Sequence, residues 1–396
     1  MSHHLREVVI ASAARTPVGT FGGTISAIPA TQLGARAIQA AIERAGIDKE
    51  VVDECIMGCV LPAGQGQAPA RQAAIYAGLP KKVECMTINK VCGSGLKAVM
   101  LATQAIQTGD AEIIVAGGME SMSMAPYYLK DARWGMRMNN KSVVDGMVTD
   151  GLWDPYDDKH MGMFAELCAE KFKYTREAQD AFAVESTRRA KAARDSGAFD
   201  DEIVPIEVPQ KKGAPLVVKT DEGIDKSMPE KMPTLKPAFK KDGTVTAANA
   251  SSINDGGAAL VIMSREKADA LGVKPIARIL SQASFAQEPS WFTTAPIGSV
   301  KKALEKAKLQ PKDIDLWEIN EAFAVVTMAT VDEFKLDPAK VNVNGGAVVL
   351  GHPIGCSGAR VLTTLLYAMK KHGAKRGCAT LCIGGGEGAA LVVEAL

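Results

Sequence analysis

Along the chain, short apolar runs rich in β-branched residues alternate with longer stretches whose apolar positions recur at helical spacing. Residues 7–14 (EVVIASAA), 112–118 (EIIVAGG) and 258–263 (AALVIM) are apolar without alternation, the pattern of strands buried on both faces. Thr31 to Ala45 reads as a helix with the Thr31 hydroxyl as its N-cap and Gly46 as its stop. Ser299 stands ready to cap a matching helix later in the chain. Strands alternating with helices predict a layered α/β fold.

The pattern occurs twice. AIERAGID (41–48) is matched by ALEKAKLQ (303–310), and VDECIMG (52–58) by IDLWEIN (314–320). NKVCGSG (89–95) is matched by HPIGCSG (352–358), and GDAEIIVAGGMES (109–121) by GAKRGCATLCIGGGEG (373–388). The matches keep their order at a nearly constant offset, so two similar halves are expected. DGGAALVIM (255–263) resembles GEGAALVVE (386–394), which follows the CIGGG segment directly. In the first half residues 122–249 intervene. The expected organisation is therefore a first half of residues 1–121 with 250–274, an inserted loop domain of 122–249, and a second half of 275–396. The insert holds Trp134, Trp153, much Met, a charged helix over Thr175–Ser196 and a basic, Pro-rich stretch at 205–240.

Charge narrows the partners. The 396 residues carry 46 Lys+Arg against 45 Asp+Glu, a net charge of +1. That balance gives no support for a nucleic-acid groove or an anionic membrane. The 47% hydrophobic and 23% charged content belongs to a globular chain, not a disordered one. The longest charge-free run, 341–359, has the length of a membrane span. It is broken by Asn342, Asn344, His352, Pro353 and several glycines, so no span is expected. Eight cysteines in so long a chain do not read as a disulfide framework. The opening Met-Ser-His-His-Leu-Arg has no apolar signal region, so a reducing, cytoplasmic setting is expected. Cys55 and Cys59 have no second pair at zinc-site spacing, and no metal is expected.

Four blocks carry candidate chemistry. In Asn89-Lys90-Val91-Cys92-Gly93-Ser94-Gly95, a strand-like MTI precedes Cys92 and a helical pattern follows. A cysteine at a helix N-terminus meets unpaired N–H groups and the positive end of the helix dipole, which favour a thiolate. A buried structural cysteine fits this block equally well. In the second half the same turn carries His352, inside GGAVVLGHPIGCSGAR. A pseudo-twofold would bring the two turns together, and a histidine facing a cysteine is a natural general base. Cys382 ends a strand and enters Gly384-Gly385-Gly386, whose N–H groups could serve an oxyanion. The spacing is not G-x-G-x-x-G and no helix follows, which argues against a nucleotide loop. Asn320, after the strand LWEI, could position a water or a carbonyl, and Glu321 an ion pair.

Together VCGSGLKAV, NEAFA, GGAVVLGHPIGCSGAR and CIGGGEGAA resemble the thiolase family, in its order and spacing and over essentially the whole chain. His160-Met161-Gly162, Ala248-Asn249-Ala250-Ser251 and Asn254-Asp255-Gly256 match its biosynthetic type. The resemblance implies a thiolase-like α/β fold of two halves with an inserted loop domain. It implies reversible Claisen condensation of two acetyl-CoA to acetoacetyl-CoA and coenzyme A. A degradative 3-ketoacyl-CoA thiolase of broader chain length is the alternative. By the resemblance, Cys92 is the acyl-accepting nucleophile, and His352 its base and a donor to the thioester oxygen. Cys382 is the acid/base for the second acetyl-CoA, and Asn320 holds a water at the enolate oxygen. The N–H groups of Cys92 and Gly384 form an oxyanion hole. Leu152, His160, Met161, Ala247, Ser251, Ala322 and Phe323 match pantetheine-channel positions. No cofactor is implied, and a homotetramer is. Two places depart from the pattern. Residues 221–233 do not align with the usual nucleotide-gripping segment, and Trp291 and Phe292 replace smaller or flexible side chains. Thr187 replaces a tyrosine near which some relatives bind potassium, so no ion is expected.

Overall fold

The structure is a computed structural model and describes residues 5–396. In each half, three strand pairings run in the same order and sense. Glu54–Gly58 pairs parallel with Ile113–Ser121, which pairs antiparallel with Asn254–Ser264, which pairs antiparallel with Val8–Arg15. In the second half Leu316–Ile319, Arg376–Ile383, Glu387–Ala395 and Ala277–Ala286 repeat this sequence of pairings. Glu84–Ile88 adds an edge strand to the first half. The repeat extends to detail. Val8–Arg15 has an irregularity between Ile10 and Ser12, and Ala277–Ala286 has one between Ile279 and Ser281. At each, the extra residue turns a serine hydroxyl to a helix carbonyl: Ser12 to Ala41 at 2.6 Å and Ser281 to Ala303 at 2.7 Å. The halves join where Val8–Arg15 meets Ala277–Ala286 through two residue pairs, Val9–Arg278 and Ile10–Ala277.

Helices Ser94–Thr108 and Ile354–His372 lie between the strands of the two halves. Leu96, Val99 and Ile106 of one helix and Leu362 and Leu365 of the other share a core with Ile114, Leu260, Leu381 and Leu391. Fully burying each such side chain is worth about 1.5–3 kcal/mol. The opposite faces of the same strands are covered by outer helices. Ala30–Ala45 and Pro69–Tyr76 cover the first half, and Ala295–Ala307 the second. Strands covered on both faces explain the unbroken apolar runs. A Cβ on Gly95 would lie 2.7 Å from the Ala359 nitrogen, and one on Gly358 would meet the backbone of Leu96. Only glycine lets the two central helices touch there, and this contact sets their N-terminal ends side by side.

Two capping expectations are corrected. The first helix begins at Ala30, after Pro29, and Thr31 lies inside it with no side-chain cap. Ser299 lies inside Ala295–Ala307, where its hydroxyl bonds the Pro296 carbonyl at 2.9 Å. Pro29, just before one helix, and Pro296, in the first turn of the other, have φ pre-set for a helix start, so each begins earlier than its hydroxyl implied. Gly46 ends the first helix at φ 66°, in the left-handed region.

Residues between Ser121 and Asn254 leave the sheet. They form helices Met161–Phe172 and Arg176–Asp195, the latter capped by Thr175, and the hairpin Ile206–Val208 with Leu216–Val218. Arg15 ties this segment down. Its guanidinium, buried, bonds Glu202 at 2.6 Å and Asp221 through both nitrogens at 2.6 and 2.9 Å. Among the described residues no helix is long and apolar enough to cross a membrane.

Candidate active site

Cys92 sits in a strained turn. Val91, a β-branched residue, has φ 45°, a conformation that side chains of its kind avoid. Three hydrogen bonds hold it: Val91 N–H to Asn89 Oδ1 at 2.9 Å, Lys90 N–H to Ser94 Oγ at 2.8 Å, and Ser94 Oγ to the Val91 carbonyl at 2.7 Å. The turn presents the half-buried Cys92 just before helix Ser94–Thr108. The N–H groups of Gly384 and of Cys92 itself are directed at its sulfur, but burial outweighs them and pushes the thiol up to about 11. The thiolate expected from the helix N-terminus is thus corrected. The N–H groups lower the pKa, and the surrounding apolar side chains raise it more.

His352 occupies the corresponding turn of the second half, after Gly351 at φ 104°. Its backbone N–H bonds Asn254 Oδ1 of the first half at 2.8 Å. Its Nδ1 lies 2.6 Å from Ser357 Oγ and 3.4 Å from Asn320 Nδ2, and its Nε2 has no protein partner among the described residues. Burial, and then the Arg360 charge, lower its pKa to about 3, so the ring is neutral. Arg360 donates to Asn320 Oδ1 at 3.2 Å, which turns the amide nitrogen toward the histidine. Cys382 is fully buried at the end of its strand, and its thiol is pushed well up by burial and then by Cys92.

These groups meet at a channel of about 520 Å³. Cys92, His352 and Gly384 line it, as do Leu152, His160, Met161, Ala247, Ser251, Ala322 and Phe323. Asn320 and Cys382 are not on its wall; they lie behind it. Phe292 lines the channel and packs edge-on against Phe164 and Phe323, each at 6.3 Å, whereas Trp291 is off the wall. Phe21, Phe239 and Lys226 are lining residues that the sequence did not single out. Phe239 stacks on His160 at 4.8 Å. Lys226, inside the segment that failed to align, is held by Glu222 at 2.9 Å and Thr20 at 2.6 Å, and among the described residues it is the one basic side chain on the wall besides the histidines. The Thr187 hydroxyl bonds the Ala183 carbonyl at 2.9 Å, and Glu321 accepts from Asn342 and Ser186 at 2.8 Å.

Two family models match in tandem, the thiolase N-terminal domain over residues 8–266 and the thiolase C-terminal domain over 273–395. The chain belongs to the thiolase family. Among curated thiolase relatives, the acetyl-CoA acetyltransferase of Cupriavidus necator is 56% identical over 98% of this chain and 100% of its own. Acetyl-CoA acetyltransferase 2 of Arabidopsis thaliana is 54% identical over 99% of this chain and 98% of its own. The crystal structure of the Bacillus anthracis acetyl-CoA acetyltransferase superimposes with a TM-score of 0.97 at 43% identity, with 100% of each chain covered. A thiolase from Ascaris suum, solved in complex with coenzyme A, gives a TM-score of 0.94 at 44% identity over 99% of this chain and 100% of its own.

Proposed function

We propose that this thiolase is an acetyl-CoA C-acetyltransferase, joining two acetyl-CoA reversibly into acetoacetyl-CoA and coenzyme A. The observation that carries the reading is that Cys92, Gly384 and His352, whose Nε2 has no protein partner among the described residues, line one channel. His352 Nε2 takes the Cys92 proton, and the thiolate attacks the thioester carbon. The N–H groups of Cys92 and Gly384 receive the developing oxyanion; one such donor is worth about 3–4 kcal/mol. Coenzyme A leaves with the Cys382 proton. The Cys382 thiolate then removes a methyl proton from the second acetyl-CoA. The protonated His352 and an Asn320-held water stabilise the enolate oxygen. The enolate carbon attacks acetyl-Cys92, the carbon–sulfur bond breaks, and Cys92 recovers its proton from His352. Two thiols and one imidazole supply every proton transfer, and we assign the reaction no cofactor. Both thiols must stay reduced, which supports a cytoplasmic setting.

Phe292, large and buried among other aromatics, supports acetyl over longer acyl groups. Residues 122–249 form the loop domain that roofs the channel. The exposed Tyr127, Trp134 and Met138 of that segment, 65, 76 and 81% accessible, support assembly of this chain with itself, as a homotetramer.

A thiolysis series tests the reading. Acetoacetyl-CoA should be cleaved with the highest kcat/KM, and six- and ten-carbon 3-ketoacyl-CoA far more slowly. Faster cleavage of the longer homologues would establish the degradative alternative, and acetyl transfer to water instead of coenzyme A would exclude both.

A further inference from the structure

We propose that Ser357 is a positioning residue that holds His352 in the Nδ1–H tautomer, leaving Nε2 bare toward the channel. The inference rests on the reading of His352 as the base. Ser357 Oγ lies 2.6 Å from His352 Nδ1 and 2.9 Å from the Pro353 carbonyl, and Ser357 is fully buried. The carbonyl can only accept, so the hydroxyl hydrogen has a place there, and Oγ is then the acceptor for an Nδ1–H. The opposite assignment gives the ring a hydrogen on Nε2, where no group among the described residues accepts it. A buried N–H without a partner is among the least tolerated features of a protein interior. In the assignment made here the ring hydrogen and the Ser357 hydroxyl hydrogen each have an acceptor.

The chain Nδ1–H to Ser357 to Pro353 also suits the later steps. When Nε2 takes the Cys92 proton the ring carries hydrogen on both nitrogens, and Nδ1–H keeps its acceptor unchanged. Nε2–H then points at the oxygen where the enolate charge develops. No proton crosses the ring, and none is taken by Ser357. Asn320 Nδ2 is 3.4 Å from Nδ1, and its amide is turned that way by Arg360. That nitrogen is a donor, so with Ser357 removed it favours the other tautomer, with Nδ1 accepting and Nε2–H unable to serve as base.

Ser357→Ala should therefore slow acetylation of Cys92 by acetyl-CoA about 10²-fold, the scale of a lost general base. The KM for acetyl-CoA should stay within threefold, because Ser357 is off the channel wall. Ser357→Thr keeps a hydroxyl that reaches the same carbonyl and should restore most of the rate. Nitrogen-15 NMR of histidine-labelled wild-type enzyme, with the resonance assigned by loss in His352→Asn, should show protonated Nδ1 and bare Nε2. An Nε2–H tautomer in the free enzyme overturns the proposal, even if Ser357→Ala does not fold. So does a Ser357→Ala enzyme that is acetylated at the wild-type rate. Failure of the wild-type enzyme to become acetylated would instead overturn the functional reading, leaving the tautomer measurement to stand or fall by itself.

Discussion

The backbone N–H of Gly355, three residues past His352, ends 2.9 Å from a carboxylate oxygen of Glu120, which belongs to the other half of the fold. The same carboxylate accepts from Val60 N–H at 2.9 Å and Leu61 N–H at 3.1 Å. One buried side chain thus anchors the His352 turn to a loop of the first half. Burial raises its pKa to about 7 against the pull of these three donors.

Glu120→Gln is the sharper test of that anchor than truncation, because it keeps the volume. An amide offers one acceptor oxygen and points an NH₂ at N–H groups that need acceptors. Each orphaned buried donor costs about 1–3 kcal/mol, so a loss of roughly 2–4 kcal/mol is expected. The denaturant midpoint should fall by the corresponding amount, and kcat should fall with it. A change below about 0.5 kcal/mol, the range of surface substitutions, would show that the carboxylate is not the anchor.

The raised Cys92 pKa makes a pH prediction. With the thiol at about 11, the thiol form dominates throughout the neutral range. The nucleophilic thiolate fraction then grows about tenfold per pH unit until the pKa is approached. Alkylation of the free enzyme by iodoacetamide, followed at Cys92 by peptide mass, should climb steadily from pH 7 to 10. The neutral His352, lowered to about 3, gives no imidazolium to stabilise a thiolate over that range. A plateau below pH 8 would mean a preformed thiolate–imidazolium pair.

What could be read from the sequence divides by the range of the interactions involved. Cys92, His352 and Cys382 stood out because each sits in or beside a glycine turn at the end of a strand or start of a helix, a local arrangement. The similarity of the halves was legible down to matching segments, since Ala41 and Ala303, which receive the two serine hydroxyls, fall in the first matched pair. Phe21, Phe239 and Lys226 gave no sign. Nothing in their neighbours' spacing marks them, and they reach the channel only through tertiary packing. The Cys92 pKa went the same way: the helix terminus is local and visible, while the apolar surroundings are assembled from both halves and the insert. At Thr31 and Ser299 the nearby prolines, equally local, outweighed the hydroxyls.

Phe292 should set the acyl limit. Its ring is 3% exposed, lines the channel and is braced by Phe164 and Phe323. Phe292→Ala removes that wall and should raise the kcat/KM for a six-carbon 3-ketoacyl-CoA relative to acetoacetyl-CoA by about tenfold, the scale of a few methylenes newly accommodated. The cavity should also destabilise the protein by about 3–5 kcal/mol. An unchanged chain-length ratio in a folded variant would place the limit elsewhere on the wall.

The two thiols should separate by step. Cys92 lies on the channel wall under two N–H groups, where an acyl group can be received and its oxyanion held. Cys382 is fully buried behind it, and burial, then the neighbouring Cys92, push its thiol well up. A thiol so placed is suited to passing a proton to and from a carbon, not to carrying an acyl group. Cys382→Ser should still become acetylated by acetyl-CoA, more slowly because the leaving thiolate lacks its acid. It should lose at least about 10²-fold in condensation and in exchange of the acetyl-CoA methyl protons with deuterated water, the span of general acid–base catalysis. Cys92→Ala should show no added acetyl by intact mass. A Cys382→Ser enzyme that exchanges methyl protons normally but cannot be acetylated would reverse the two assignments.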